Sequence, residues 1–222
     1  MARLRDDPDL GYLVGDFHSV YRYSSAGGSR PIRTHLRRVR ETISDVVEDN
    51  PEVVRREPTR LPVTDHLRRA LDMGSRGLLS RLSDSVARVS TTLSWEYGYE
   101  RVPRGLAGKY GYCEVVGPRG PVVSERLILG LVLLAPNTTY PQHHHRDIEE
   151  SYVSIAGDWS ENDGAVYAPG SLILNVSEHE HRITTGVSEP CLLAYAWLGP
   201  VERLHVPGMS FARGTRPQRP RP

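Results

Sequence analysis

The sequence predicts a mainly β protein, an antiparallel sandwich or barrel preceded by a helical segment, and three observations carry that expectation. Up to about residue 90, apolar residues recur at helical spacing. From Thr91 onward, short apolar or aromatic runs alternate with Gly, Pro and Asn turns. Between two of these runs lies Tyr140-Pro-Gln-His-His-His-Arg-Asp-Ile-Glu-Glu-Ser-Tyr152, which gathers imidazoles, carboxylates and two phenols more densely than folding requires.

In chain order, Leu10, Leu13, Val14, Phe17 and Val20 mark a first helix that stops near Ser24-Ser-Ala-Gly-Gly28. Ser29 caps a second, with Pro31 in its first turn and an apolar stripe of Ile32, Leu36, Val39, Ile43 and Val46; Pro51 ends it. Thr64 caps a third helix bearing Leu67 and Leu71, and Gly74 to Gly77 separates it from a fourth carrying Leu78, Leu82, Val86 and Val89. Each stripe needs a partner and no long flexible linker precedes Thr91, so residues 1–90 are expected to pack on the β domain of residues 91–206. The strand runs are Leu93–Tyr99, Tyr110–Val116, Val122–Ala135, Ser151–Trp159, Ala165–Tyr167, Ser171–Val176, His181–Thr184 and Cys191–Leu198. Residues 207–222 are rich in Pro and Arg and are expected to be disordered.

At 222 residues the chain can bury a real core. Its 28 Lys and Arg nearly balance 27 Asp and Glu, for a net charge of +1 with the arginines interspersed, which gives no reason to expect nucleic acid. Cys113 and Cys191 lack a metal-type spacing and read as small buried hydrophobes. No apolar run approaches the roughly 18 residues of a membrane span, and the N-terminus carries no apolar signal core. The expectation is a soluble cytoplasmic protein.

The dense stretch points to a metal. On a strand, His143 and His145 share one face and His144 turns away. A carboxylate four or five residues on, and an imidazole from Glu178-His-Glu-His-Arg182 beyond the Pro169-Gly170 turn, complete a shell of three His and one Glu. Such donors suit one divalent transition ion: Zn, Fe(II), Mn, Ni or Co. A lone His is more often a solvated or core imidazole, but a set that fits one site reverses that balance. Spacing alone leaves Glu149 and Glu150 open, and likewise His179 and His181.

This stretch resembles the first motif of the cupin superfamily, His-x-His, a gap of three or four residues, Glu, and a Gly seven residues further on. His143-x-His145, Glu150 and Gly157 satisfy it, whereas Glu149 would need its glycine where Ala156 stands. The second motif, Pro-x-Gly followed by a His, is represented by Pro169-Gly170 without the intervening residue. Within that superfamily the chain is similar to the dimethylsulfoniopropionate lyases, most closely the DddL type and more distantly the DddQ type, from about Trp95 to Gly199. The matching pieces are Tyr140-Pro-x-His-His-His, Glu150-x-Tyr152, His181-Arg-Ile-Thr-Thr185 and Glu189-Pro-Cys-Leu-Leu-Ala-Tyr-Ala-Trp-Leu-Gly199. Glu150 stands one residue further from the His cluster than in the DddQ-type pattern.

The resemblance implies a cupin β-barrel, that is a double-stranded β-helix or jelly roll, with His143, His145, Glu150 and His181 holding the metal. It implies a small zwitterionic substrate, with a carboxylate at one end and a dimethylsulfonium at the other, cleaved to acrylate and dimethyl sulfide. Tyr152 is then the general base that removes the proton beside the carboxylate, its phenol acidified by the metal. Tyr140 is the second candidate, as a positioning group or alternate base. Ring faces can hold a sulfonium as they hold a quaternary ammonium; Trp95, Tyr97, Tyr99, Tyr167, Tyr195 and Trp197 lie on the expected strands, most of them as core. The helices could cover the barrel or form a homodimer interface, and the homodimer is preferred. The same shell also serves cupin Fe(II) dioxygenases and sugar isomerases. A non-enzymatic ligand-binding cupin would explain the shell but leaves Tyr152 without a task.

Overall fold

The apolar stripes of the first ninety residues form one continuous buried surface. In the computed structural model, which describes residues 2–23, 28–99, 102–207 and the backbone of 210–211, α1 (Pro8–Tyr23) packs against α2 (Arg30–Asp49), and α3 (Leu67–Gly74) and α4 (Ser80–Val89) follow. Leu13, Val14, Phe17, Val39 and Ile43 are fully buried. Two expected helix starts differ in detail. Thr64 lies in a short 3-10 turn, Pro62–His66, and its hydroxyl donates back to the Leu61 carbonyl at 2.7 Å, so α3 begins only at Leu67. Leu78, expected on the stripe of the fourth helix, precedes α4 and is exposed.

The β region comprises β1 (Tyr110–Gly117), β2 (Val122–Val123), β3 (Ile128–Leu134), β4 (Thr139–His144), β5 (Glu149–Ala156), β6 (Trp159–Glu161), β7 (Val166–Tyr167), β8 (Leu172–Asn175), β9 (His181–Thr185) and β10 (Cys191–Leu198). A short helix α5 (Val201–His205) and strand β11 (Ser210–Phe211) close the described chain. A six-stranded sheet runs β2-β1-β3-β10-β5-β8 and a five-stranded sheet runs β11-β4-β9-β6-β7. All pairs are antiparallel except β1 with β2. The barrel takes the form of two stacked sheets, with no closed ring of strand pairs among the described residues.

Both faces of the six-stranded sheet are covered, which is why its strands read as unbroken apolar runs. Leu129, Leu131, Leu133, Val153, Ile155, Leu192 and Ala194 pack toward the helices. The alternate residues, among them Tyr112, Val132, Tyr152, Leu193, Tyr195 and Trp197, pack with Tyr140, Trp159 and Ile183 of the second sheet. Gly130 permits this layering, because a Cβ there would stand 2.1 Å from the Cys113 carbonyl and 2.6 Å from the Tyr195 ring. Gly157, the glycine of the first motif, has φ +77° and a Cβ would meet the Pro190 carbonyl at 2.3 Å, so the turn out of β5 admits no side chain.

The run Leu93–Tyr99 is not a strand. Only Glu96 bridges to Tyr112, while the Trp95 N–H donates to Thr59 in the irregular chain before α3. Val122–Ala135 is split by a turn between β2 and β3. Most of the tail expected to be disordered lies outside the described residues; the backbone of Ser210–Phe211 pairs with His143 and His144 of β4.

Candidate metal centre and active site

Strand β4 and the residue that follows it place the first two imidazoles, His143 and His145. The pairing of β4 with β9 runs Thr139 opposite Thr184, Tyr140 opposite Ile183 and then His143 opposite His181, so one extra residue is accommodated at Pro141-Gln142. Pro141 has no N–H to leave unpaired there. The bulge changes the parity of the strand, so Tyr140 and His143, three residues apart, both face inward with ring centroids 4.4 Å apart. His145 falls on the same side, and His144 turns outward, where its Nε2 lies 3.7 Å from Glu178.

Strand β5 supplies Glu150 and Tyr152 on one face, and β9 supplies His181. Ligand atoms of His143, His145, Glu150 and His181, all buried, lie within 4.8 Å of one another. Glu150 Oε2 is 3.0 Å from His181 Nε2 and 3.6 Å from His145 Nε2. Two of the rings are oriented from behind: His143 Nδ1 bonds the Pro141 carbonyl at 2.9 Å and His181 Nδ1 bonds the His179 carbonyl at 3.0 Å. In neutral rings these nitrogens carry the protons and turn bare Nε2 atoms inward. Trp197 Nε1 donates to Glu150 Oε1 at 2.6 Å, which leaves Oε2 for the centre.

His143 Nε2 and His145 Nε2 are buried without a hydrogen-bond partner, and Glu150 Oε2 and His181 Nε2 have only each other. A buried polar atom left unsatisfied costs about 1–3 kcal/mol, and the two unpartnered imidazole nitrogens carry that cost side by side. A cation among them removes that cost, and the donor set fits one. His179, the competitor for the last position, is exposed, whereas His181 is buried at the cluster.

The protonation states agree with that fit. Burial, reinforced by the charge of His181, holds His143 down at about 3, and burial likewise lowers His145. Burial alone would raise Glu150, but His145 and His181 outweigh it and hold its carboxyl well below the usual range. His181 is the exception: burial lowers it, yet the adjoining Glu150 carboxylate raises it more. Tyr152, on the same strand face, meets that carboxylate directly. Burial, followed by the facing Glu150 carboxylate, pushes it well above the ordinary tyrosine value.

Around the donors, Tyr110, Tyr112, Val132, Tyr140, Tyr152, Tyr195 and Trp197 line a narrow cavity of about 10 Å³, space for about one water-sized group. The Tyr140 hydroxyl bonds those of Tyr99 and, at 3.3 Å, Tyr110. The buried Tyr195 hydroxyl has no partner. Of the strand aromatics weighed for the sulfonium, most of them expected as core, Trp95 lies in the helix-side core. Larger clefts open elsewhere, one bordered by Arg55, Arg88 and Arg119, but each of these faces an acid: Asp7, Asp9 and Glu114. Sequence reasoning missed the Trp197 bond and the Tyr110 phenol; their only signal was the alternation of β10 and β1.

Two stacked sheets with three inward imidazoles and a carboxylate between them define a cupin fold with a buried donor group that could hold a metal ion. A family model of dimethylsulfoniopropionate lyase matches residues 35–193. A protein of Cereibacter sphaeroides, provisionally assigned as the dimethylsulfoniopropionate lyase DddL, is 62% identical over 210 residues, 95% of this chain and 90% of that protein. The chain belongs to the dimethylsulfoniopropionate lyase family. Solved structures share the fold. The DMSP lyase DddQ from Ruegeria pomeroyi DSS-3 has a TM-score of 0.67 at 19% identity, covering 87% of this chain and 92% of that one. A chain from the crystal structures of the DMSP lyases RdDddP and RnDddQII has the same TM-score and identity, covering 93% and 98%. No described helix is long and apolar enough to cross a membrane.

Proposed function

We propose that this carbon–sulfur lyase cleaves dimethylsulfoniopropionate to acrylate and dimethyl sulfide, with Tyr152 as the base. The observation that carries the reading is the set of four buried donors converging within 4.8 Å beside a phenol on the same face of β5 as Glu150. His143, His145, Glu150 and His181 would hold one divalent transition ion of the Zn, Fe(II), Mn, Ni or Co group. Such an ion acts as a Lewis acid toward the substrate carboxylate and acidifies the adjacent C–H.

Tyr152 takes the proton from the carbon next to the carboxylate. The electron pair of that C–H bond becomes the second bond of acrylate, the C–S bond breaks, and its pair leaves with neutral dimethyl sulfide. A cation held by the four donors would oppose the effect of Glu150 on the phenol and favour Tyr152 as base. Tyr140, tied to Tyr99 and Tyr110, orients the substrate. Tyr152, Tyr195 and Trp197 line the cavity beside the donors, and their ring faces would hold the sulfonium.

The purified chain with dimethylsulfoniopropionate under anaerobic conditions tests the reading. Equal amounts of headspace dimethyl sulfide and dissolved acrylate are expected. Product formation that requires oxygen points to a dioxygenase, and no product rejects the lyase.

A further inference from the structure

Ser151 stands between Glu150 and Tyr152, and strand alternation turns it to the opposite face of the sheet, where it is fully buried. Tyr21 of α1 brings its hydroxyl to 2.9 Å from Ser151 Oγ, and His35 of α2 brings Nε2 to 2.8 Å. His35 Nδ1 lies 3.2 Å from Glu149 Oε2, and Arg38 Nη1 donates to the same oxygen at 2.8 Å.

The direction of these bonds follows from which atoms can carry protons. An ionised carboxylate only accepts, so Nδ1 of His35 carries the proton and Nε2 of the neutral ring accepts. Ser151 therefore donates to His35, and Tyr21 donates to Ser151. The result is a one-way chain from Tyr21 through Ser151 and His35 to Glu149, crossing from two helices to one strand. A serine, a histidine and a carboxylate in this order also describe an activated nucleophile. That use is excluded by space, since Ser151 is fully buried and its oxygen is covered by Tyr21 and His35.

Four consecutive residues of β5 are thus committed alternately, Glu150 and Tyr152 to the site and Glu149 and Ser151 to the helices. We propose that this chain of hydrogen bonds is a positioning device: α1 and α2 fix the rotation of β5 about its own axis, and so fix where Glu150 Oε2 and the Tyr152 phenol stand. The inference rests on the reading of Glu150 as ligand and Tyr152 as base. A rotation of about 10° displaces an atom roughly 6 Å from the strand axis by about 1 Å, enough to cost on the order of 100-fold in turnover. His35, which holds both Ser151 and Glu149, is the central positioning residue.

Four variants and the Co(II)-loaded protein test this. Ser151→Ala removes one oxygen, His35→Leu removes both ring contacts, His35→Gln restores a partner for Ser151, and Tyr21→Phe removes only the outermost donor. Visible Co(II) bands, Co(II) affinity by chelator competition, and kcat and KM are read well below each melting temperature. Ser151→Ala and His35→Leu are expected to shift the bands, weaken Co(II) binding by about 10-fold or more, and lower kcat by about 10- to 100-fold with a smaller change in KM. His35→Gln recovers part of the loss, and Tyr21→Phe loses least. Wild-type bands, affinity and kcat together with a lowered melting temperature would mean that the network only ties helices to sheet, and the proposal falls. Should His35→Leu fail to fold, Ser151→Ala decides by the same readouts. Labelling of Ser151 by a fluorophosphonate would also overturn it. If the wild-type chain binds no Co(II), or binds it equally after His145→Ala with His181→Ala, the fault lies in the site reading itself and the inference falls with it.

Discussion

Trp197 and Glu150 are direct cross-strand partners of β10 and β5, and the indole N–H donates to Glu150 Oε1 at 2.6 Å. One carboxylate oxygen is thereby occupied from behind, and the other points at three imidazoles. An indole donor of this kind orients a ligand as a carboxylate orients a metal-bound histidine. Trp197→Phe keeps an aromatic ring in the core but leaves Oε1 without its donor. Metal affinity is expected to fall by about 10- to 100-fold, read by chelator competition, with far-UV circular dichroism unchanged. An unchanged affinity would mean that packing alone fixes the carboxylate.

The metal itself gives a second expectation. His145, the residue after β4, and His181 of β9 each bring a buried Nε2 to the donor group. His145→Ala combined with His181→Ala should abolish metal binding, read as metal per chain by elemental analysis after dialysis. One ion per chain in that double variant would sink the assignment of His143, His145, Glu150 and His181.

The helical segment is expected to belong to the same cooperative unit as the sheets. Without α1 to α4, the outward residues Leu129, Leu131, Leu133, Val153 and Ile155 would face water. Phe17 is fully buried, so Phe17→Ala should cost about 3–5 kcal/mol and lower one unfolding transition seen alike by helix circular dichroism and by tryptophan fluorescence. A separate, unshifted β transition, or an active protease-resistant fragment starting near Thr91, would show that the two parts fold apart.

How much of this the sequence disclosed depends on whether a feature is local. The pairing of Glu150 with Tyr152 on one strand face, and of His143 with His145, follows from period-two alternation and holds. The inward turn of Tyr140 does not, because alternation places residues 140 and 143 on opposite faces; only the bulge at Pro141-Gln142, set by pairing with β9, brings them together. Trp197 reaches Glu150, and His35 reaches Ser151, through contacts across 47 and 116 residues that no spacing rule contains. Leu93–Tyr99 has strand-like composition, yet its neighbours are a loop on one side and a single bridge on the other. Composition cannot report that a partner strand is missing.

His35 gives a pH expectation. Burial lowers its pKa below 6.5, and the Arg38 charge acts in the same direction; the Glu149 hydrogen bond and charge oppose both and do not prevail. Tyr21 and Ser151 contribute uncharged contacts. The unfolded chain therefore binds this proton more readily than the folded one. Stability present above the unfolded pKa of 6.5 is lost as pH falls through the window down to the folded value. Melting temperatures from about pH 7.5 to 5 should drop more steeply for the wild type than for His35→Gln, which carries no titrating ring. Parallel curves would place the proton elsewhere.

Tyr152 and Tyr140 divide the remaining chemistry between them. Both phenols are raised, and burial is the first cause in each. The second cause separates them: for Tyr152 it is the Glu150 carboxylate, and for Tyr140 it is Tyr110, with Tyr99 after it. Tyr152 stands against the Glu150 carboxylate, whereas Tyr140 stands against the His143 ring and bonds the hydroxyls of Tyr99 and Tyr110. Tyr152→Phe removes one oxygen and keeps the ring against Trp159 and His181. Metal content and fold should persist while kcat falls by about 10²- to 10⁴-fold, the range for loss of an acid–base group. Tyr140→Phe should raise KM more than it lowers kcat, because orienting a substrate is uniform binding. If Tyr140→Phe is inactive and Tyr152→Phe is not, the two roles are exchanged. If both variants turn over normally with metal bound, neither phenol is the base.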